Sequence, residues 1–184
     1  MLPLIIIQMK SICSYLIKKK SCSFLTERLI YYKDREGGYI MATIFDVAKY
    51  ILNRQGKMST WKLQKLCFYS QAWELAWTES PLFDEDFQAW ANGPVCPELF
   101  HAHQGKFVVT EKDIPHGDSR NLTEDQRNDI DIVLNDYGKM EPYDLRELSH
   151  NEDPWKIARG NLPPMERGNT MITKASMGEY YGSL

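Results

Sequence analysis

The sequence predicts a mainly α-helical fold, a compact single-domain bundle of about five to seven helices with a minor β element near residues 84–110. The chain has 184 residues, which suits one domain with a substantial core. Hydrophobic residues make up 43% and charged residues 26%, as in ordinary globular proteins. Apolar residues recur at steps of three and four between capping and stopping residues, which favours helices.

The first helix is predicted to end at about Gln55. Thr43 followed by Asp46 resembles a capping box, and apolar residues follow at helical spacing. Gly56 is expected to end the helix, because glycine adopts the backbone conformations that commonly terminate one.

The second helix has the best-defined apolar face in the sequence. Ser59 or Thr60 is expected to cap it, and it should end near Glu79. We expect Leu66 and Trp73, both on the apolar face, to be buried. Three charged residues fall largely outside that face: Lys62, Lys65 and Glu74.

The segment at residues 84–110 is predicted to hold the β element. Residues 84–90 fit a short extended piece, and Asn92-Gly93-Pro94 is a strong turn signal. Pro94 is well placed to begin the helix that residues 98–102 indicate. Residues 107–109 could form one short strand.

The second half of the chain again reads as helices. A capping box at Thr123 opens one helix, which Gly138 ends, and Pro142 opens the next. A short helical piece begins at Trp155. The last helix is predicted for residues 172–181.

Charge is distributed unevenly. Residues 1–40 hold seven Lys or Arg against three Asp or Glu, whereas the remainder holds 15 against 22 and carries a net charge of −7. An acidic domain repels phosphate backbones, so the charge disfavours nucleic-acid binding and suits a basic partner surface better.

Residues 1–40 are interpreted as an upstream extension, with Met41 as the true start and residues 42–184 as the domain. Codons for Glu36-Gly37-Gly38 can contain a bacterial ribosome-binding sequence at the usual short distance before Met41. The apolar run of residues 2–7 is too short to span a bilayer, and the charges that follow it do not fit a signal peptide. A natural basic N-terminal arm is the alternative.

The cysteines favour a reducing, cytoplasmic location. None forms a CxxC pair, and Cys67 lies among apolar neighbours, as a buried free thiol does. The four are Cys13, Cys22, Cys67 and Cys96.

Metal and cofactor sites are not expected. His101 and His103 point in different directions on a helix, and with Cys96 and Glu98 they match no zinc spacing. The sequence contains no phosphate loop, dinucleotide fingerprint or nucleophile elbow. We therefore expect no cofactor.

His150 and Glu152 are the one pair that could suggest acid–base chemistry. Nothing near them in sequence supplies an activated nucleophile. The alternative is that His150 hydrogen-bonds a loop and helps to place Trp155. We expect no enzyme activity.

Two aromatic-plus-turn clusters carry a more specific signal. They are Ala89-Trp90-Ala91-Asn92-Gly93-Pro94-Val95 and Ser149-His150-Asn151-Glu152-Asp153-Pro154-Trp155. With the segments of residues 62–73 and 81–83, they resemble the Panacea domain, the SocA-like antitoxin domain often encoded by phages or prophages. The resemblance runs from about residue 43 to 181. It departs from the family pattern at Cys67-Phe68 and Ala91-Asn92.

The resemblance implies an antitoxin that neutralises a cognate toxin, encoded by an adjacent gene, by direct protein–protein binding. Neither a membrane nor a nucleic-acid partner is expected, because the domain is acidic and the N-terminal apolar run is short. Alternatives are a protease adaptor that presents its partner, or a small hydrolase using His150 and Glu152. A cleft joining His150 to Cys96 or His101 would favour an enzyme, and an apolar groove rimmed by carboxylates would favour a binder. The candidate partner-binding or family-signature residues are Trp90, Gly93, Pro94, Val95, His150, Glu152, Pro154 and Trp155.

Overall fold

A computed structural model describes residues 31–33 and 39–184, with side chains described from Met41 onward. This part is mainly α-helical, as predicted. No helix in these ranges is long and apolar enough to cross a membrane. The helices are α1 (Ile44–Gln55), α2 (Thr60–Thr78), α3 (Pro97–Ala102), α4 (Glu124–Tyr137), α5 (Pro142–His150), α6 (Asp153–Arg159) and α7 (Lys174–Gly182).

Short antiparallel strands complete the described fold. β1 pairs with β2, β3 pairs with β6, and a three-stranded sheet has the order β5-β4-β7. The strands are β1 (Tyr31–Lys33), β2 (Tyr39–Met41), β3 (Met58–Ser59), β4 (Phe87–Trp90), β5 (Gly93–Val95), β6 (Val108–Val109) and β7 (Met171–Ile172). The predicted β element near residues 84–110 therefore exists, but its partners reach beyond that range.

The ends of α1 follow the sequence signals. The Thr43 hydroxyl accepts a hydrogen bond from the Asp46 amide, and the Asp46 carboxylate accepts one from the Thr43 amide at 2.8 Å. Gly56 ends the helix at φ +76°. The other carboxylate oxygen of Asp46 accepts a hydrogen bond from the Asp118 amide at 2.6 Å. The capping residue therefore also holds the loop around Asp118 against α1.

Helix α2 lies at the centre of the described fold, in contact with α1, α4, α5, α7 and β5. Ser59 caps it and the left-handed Glu79 ends it, as predicted. Every residue from Leu63 to Leu75 is buried. Lys65 and Glu74, which the sequence placed outside the apolar face, are therefore buried as well, because neighbours surround α2 on all sides.

The core around α2 is aromatic. Leu66 and Trp73 are 0% and 1% exposed, which confirms their predicted burial. Tyr69 stacks on Tyr137 with ring centroids 4.1 Å apart, and the Trp73 indole N–H donates to the Tyr137 hydroxyl at 2.9 Å. These contacts join α2 to α4.

Three predicted helix starts are wrong. Helix α6 begins at Asp153, two residues before the predicted Trp155, with Pro154 in its first turn. Pro94 lies in β5, at the edge of the three-stranded sheet, where a residue without an N–H is tolerated. Helix α3 instead begins at Pro97. Ile172 lies in β7, paired with Phe87, so the last helix begins at Lys174 behind a Thr173 cap.

The interpretation of residues 1–40 as an upstream extension lies outside the described residues, apart from the pairing of Tyr31–Lys33 with Tyr39–Met41. That pairing is a backbone register between two three-residue strands. The choice of Met41 as the start stays a hypothesis.

Candidate functional site

The turn between β4 and β5 has a backbone conformation and a packing that only glycine fits. Gly93 has φ +99°, and a Cβ there would lie 2.6 Å from Cε of Lys65 and 2.9 Å from Oγ of Ser149. The Lys65 ammonium donates to the Pro94 carbonyl at 3.0 Å. Glycine is therefore favoured here both by the positive φ and by the close approach of Lys65 and Ser149.

The second sequence cluster packs on the first. The Trp155 indole N–H donates to the Trp90 carbonyl at 3.1 Å. The buried Arg159 guanidinium donates to the Ala89 carbonyl at 3.2 Å. Helix α6 is thereby fixed against β4, so two motifs about 60 residues apart form one structural unit.

His150 stacks on Trp155, with ring centroids 3.9 Å apart and ring planes 9° from parallel. This places Trp155 by ring stacking, where the sequence suggested a hydrogen bond to a loop. Nε2 of His150 is buried without a hydrogen-bond partner among the described residues. Burial, aided by the nearby cations of Arg146, Lys65 and Arg159, lowers the pKa of His150 to about 4, so the ring is neutral at pH 7.

The Glu152 carboxylate lies in the aromatic core and bonds tyrosines, not His150. Its Oε2 accepts hydrogen bonds from the hydroxyls of Tyr69 at 3.0 Å and Tyr181 at 2.6 Å. Burial raises the pKa of Glu152 to about 7. In the described part of the chain, no hydrogen bond joins His150 to Glu152, Cys96 or His101.

The Glu152 carboxyl predicts a specific pH dependence of stability. Its pKa is about 7 in the fold against 4.5 as an ordinary glutamate. Between these pH values the folded chain keeps a proton that the unfolded chain releases, so the free energy of unfolding falls as pH rises. A Glu152→Gln variant cannot ionise and should gain up to about 3 kcal/mol over wild type between pH 4.5 and 7.

Urea unfolding of both proteins at pH 4.5 and pH 8 measures this difference. Glu152→Ala is the comparison, because it leaves the Tyr69 and Tyr181 hydroxyls without an acceptor and should destabilise at both pH values. Equal pH dependence in wild type and Glu152→Gln would show that this carboxyl has an ordinary pKa.

A cleft of about 710 Å³ lies beside this unit. Its walls come from α2, the β4–β5 turn, α3 and the loops of residues 103–107 and 165–169. Inside the cleft, Trp90 packs edge-to-face on Phe100, with ring centroids 5.0 Å apart. Trp61, Phe107 and Met165 line its mouth with 46%, 75% and 78% of their surface exposed. A concave site with exposed aromatic groups is typical of a binding surface.

The lining of the cleft carries positive charge. Its described side chains include Lys65, Lys106 and Arg167 and no Asp or Glu. Lys106 forms an ion pair with Asp113 outside the cleft, which leaves Lys65 and Arg167 as cations without a carboxylate partner in the described chain. The cleft therefore lacks the carboxylate rim that we expected for a binder.

The floor of the cleft is a hydrogen-bonded polar cluster. The Gln64 amide accepts the Cys96 N–H at 2.9 Å, donates to the Cys96 carbonyl at 3.3 Å, and lies 3.1 Å from Nε2 of His103. The Cys96 thiol donates to the Glu98 carboxylate at 3.1 Å, and burial raises the pKa of the thiol. In the described ranges, no three His, Cys, Asp or Glu side chains are grouped so that they could hold a metal ion.

The sequence candidates divide by position. Trp90 and Val95 line the cleft, whereas the other six candidates are not among its lining residues, and four of them are buried: Gly93, Pro94, Glu152 and Pro154. Sequence reasoning missed Lys65 and Arg167. Lys65 lies within the quoted segment of residues 62–73, but nothing in the spacing marks it as the cation of a cleft, and Arg167 lies in an irregular loop with no pattern.

Comparison with known protein families identifies the domain. The family described as "Antitoxin SocA-like, Panacea domain" matches residues 63–156, just over half of the chain. The matched range begins in α2, ends in α6 and includes both aromatic-plus-turn clusters. No curated protein and no solved structure matches the chain.

Proposed function

Since the chain belongs to the SocA-like Panacea antitoxin family, we propose that it neutralises a cognate toxin by direct, stoichiometric binding. The family match over residues 63–156 is the observation that carries this proposal. The toxin is expected to be the product of an adjacent gene, and the neutralisation to take place in the cytoplasm. The net charge of −7 over residues 41–184 disfavours a nucleic-acid partner.

The geometry supports binding over catalysis. The first matched cluster builds one wall of a cleft whose mouth carries exposed Trp61, Phe107 and Met165. Tryptophan, phenylalanine, methionine and arginine are enriched in protein interfaces. The hydrolase alternative needs His150 and Glu152 to act together. His150 instead stacks on Trp155, and Glu152 is bonded to two tyrosines.

Stoichiometry distinguishes the two classes. Purified toxin titrated with this protein should lose activity in proportion and reach full inhibition at about one antitoxin per toxin, because a binder is consumed as it acts. Toxin activity should be followed for hours at sub-equivalent amounts. Inactivation of many toxin molecules by each molecule of this protein would contradict binding.

His150→Ala is the matched variant. Loss of its stacking on Trp155 should weaken inhibition only as far as it loosens the fold, which a thermal melt measures in parallel. Full loss of inhibition with an unchanged melt would favour the enzyme.

A further inference from the structure

The cation-lined cleft has features of a site for an anionic partner group. We propose that it receives an acidic and apolar segment of the toxin, with a side-chain carboxylate bound by Lys65 and apolar side chains packed on Trp90 and Phe100. The proposal rests on the proposed function, since it names the toxin surface that the antitoxin recognises.

Lys65 carries the first part of the argument. The residue is 2% exposed, and its ammonium has one hydrogen-bond acceptor among the described residues, the Pro94 carbonyl at 3.0 Å. An ammonium has three N–H donors, so two have no acceptor among the described residues. A buried cation without a counterion destabilises the fold, and an apolar side chain of similar size would stabilise it better. An incoming carboxylate would supply the missing counterion.

Charge complementarity indicates what kind of group enters. Residues 41–184 have a net charge of −7, yet no Asp or Glu is among the described side chains that line the cleft. Arg167, which is exposed, adds a second cation to the lining. The positive lining within an acidic domain favours an anion and repels a basic segment.

The mouth indicates that the anion belongs to a polypeptide. Phe107 and Met165 are exposed by 75% and 78%, and Trp61 by 46%, so apolar surface continues outward from the cleft. A small anion would leave this surface in water, whereas a protein segment would cover it. The amide side chains of Gln88, Asn92 and Asn169 also line the cleft and can bond a peptide backbone.

Binding should depend on pH through Lys65. Burial, with a smaller effect of Arg146, lowers the pKa of Lys65 to about 7. The charged fraction of its amine then falls about tenfold between pH 6 and pH 8, and carboxylate binding should fall with it. The charged and titratable groups near Lys65 include the guanidinium of Arg146 and the ring of His150, whose pKa of about 4 keeps it neutral over this range. His103 also lines the cleft, and burial lowers its pKa below the ordinary value of histidine.

The test uses the full chain and a synthetic probe. A blocked peptide of alternating phenylalanine and glutamate is titrated at pH 6 and pH 8. The readout is intrinsic tryptophan fluorescence, to which Trp61 and Trp90 in the cleft contribute. The control is the same peptide with glutamine for glutamate. The glutamate peptide should bind saturably and at least tenfold more tightly than the glutamine peptide at pH 6, and about tenfold more weakly at pH 8 than at pH 6.

Two lysine variants on the same helix locate the site. Lys65→Met keeps the length of the side chain and removes its charge, and should weaken glutamate-peptide binding at least tenfold and remove its pH dependence. Lys62→Met changes a lysine outside the cleft lining and should bind within about twofold of wild type. Arg167→Gln, at an exposed position, should weaken binding severalfold and serves if Lys65→Met fails to fold.

Several outcomes would overturn the assignment. They are equal affinity for both peptides, unchanged binding by Lys65→Met or by Arg167→Gln, or tighter binding of a nucleoside monophosphate than of the glutamate peptide. A toxin neutralised equally by wild type and by folded Lys65→Met would place the toxin elsewhere and leave the proposed function intact. Failure of the wild type to bind any adjacent-gene product would overturn the proposed function, and with it the assignment of the peptide to a toxin.

Discussion

Replacing Trp73 with alanine is expected to lower the free energy of unfolding by about 3–5 kcal/mol, as deletion of a large buried aromatic side chain does. Trp73 is 1% exposed, stacks on Trp77 at 5.6 Å and donates its N–H to the Tyr137 hydroxyl. The variant loses the packing and leaves that hydroxyl without its donor. Urea unfolding monitored by circular dichroism measures the change.

Trp61→Ala is the matched control on the same helix. Trp61 is 46% exposed at the mouth of the cleft, so its removal should cost less than about 1 kcal/mol. Equal losses for the two variants would show that α2 does not lie at the centre of the core.

Replacing Gly93 with valine is expected to destabilise the domain by about 3 kcal/mol or more and to abolish neutralisation at the same time. Gly93 has φ +99°, which strains a β-branched residue. The new Cβ would also lie 2.6 Å from Cε of Lys65 and 2.9 Å from Oγ of Ser149. Lys65 must therefore move, and the cleft loses its cation. A thermal melt and a toxin titration measure the two effects.

The Gly56→Val variant is the control that separates the effect of backbone strain from the effect of steric crowding at Gly93. Gly56 also has a positive φ, +76°, but a Cβ there would meet nothing within 4 Å. This control should cost only the backbone strain and leave toxin neutralisation intact after correction for stability. A Gly93→Val protein that is fully stable but fails to bind toxin would instead place the turn in the interface.

Local signals predicted most of the helices. Caps at Thr43, Ser59 and Thr123 and stops at Gly56 and Gly138 lie where the sequence placed them. These signals work because a capping side chain satisfies backbone groups only a few residues away. These particular helix bounds could therefore be predicted without knowledge of the neighbouring elements.

Strand pairing was less predictable, because it depends on distant partners. Met58–Ser59 pairs with Val108–Val109, and Met171–Ile172 pairs with Phe87–Gln88. Two-residue strands carry too short a pattern to show alternation. Pro94 was wrongly assigned to a helix because the sequence does not show that β5 is an edge strand. A proline is tolerated in a strand at the edge of a sheet.

The candidate site was likewise only partly predictable from local sequence patterns. The sequence by itself determined the helical class, the family resemblance and the two clusters at Trp90 and Trp155, because these are local patterns of caps, turns and aromatic residues. Only the tertiary structure decided that Lys65 is buried, that it faces Gly93, and that Arg167 lines the same cleft. The physical reason is that burial depends on every element packed around α2, and helical spacing reports only the apolar face.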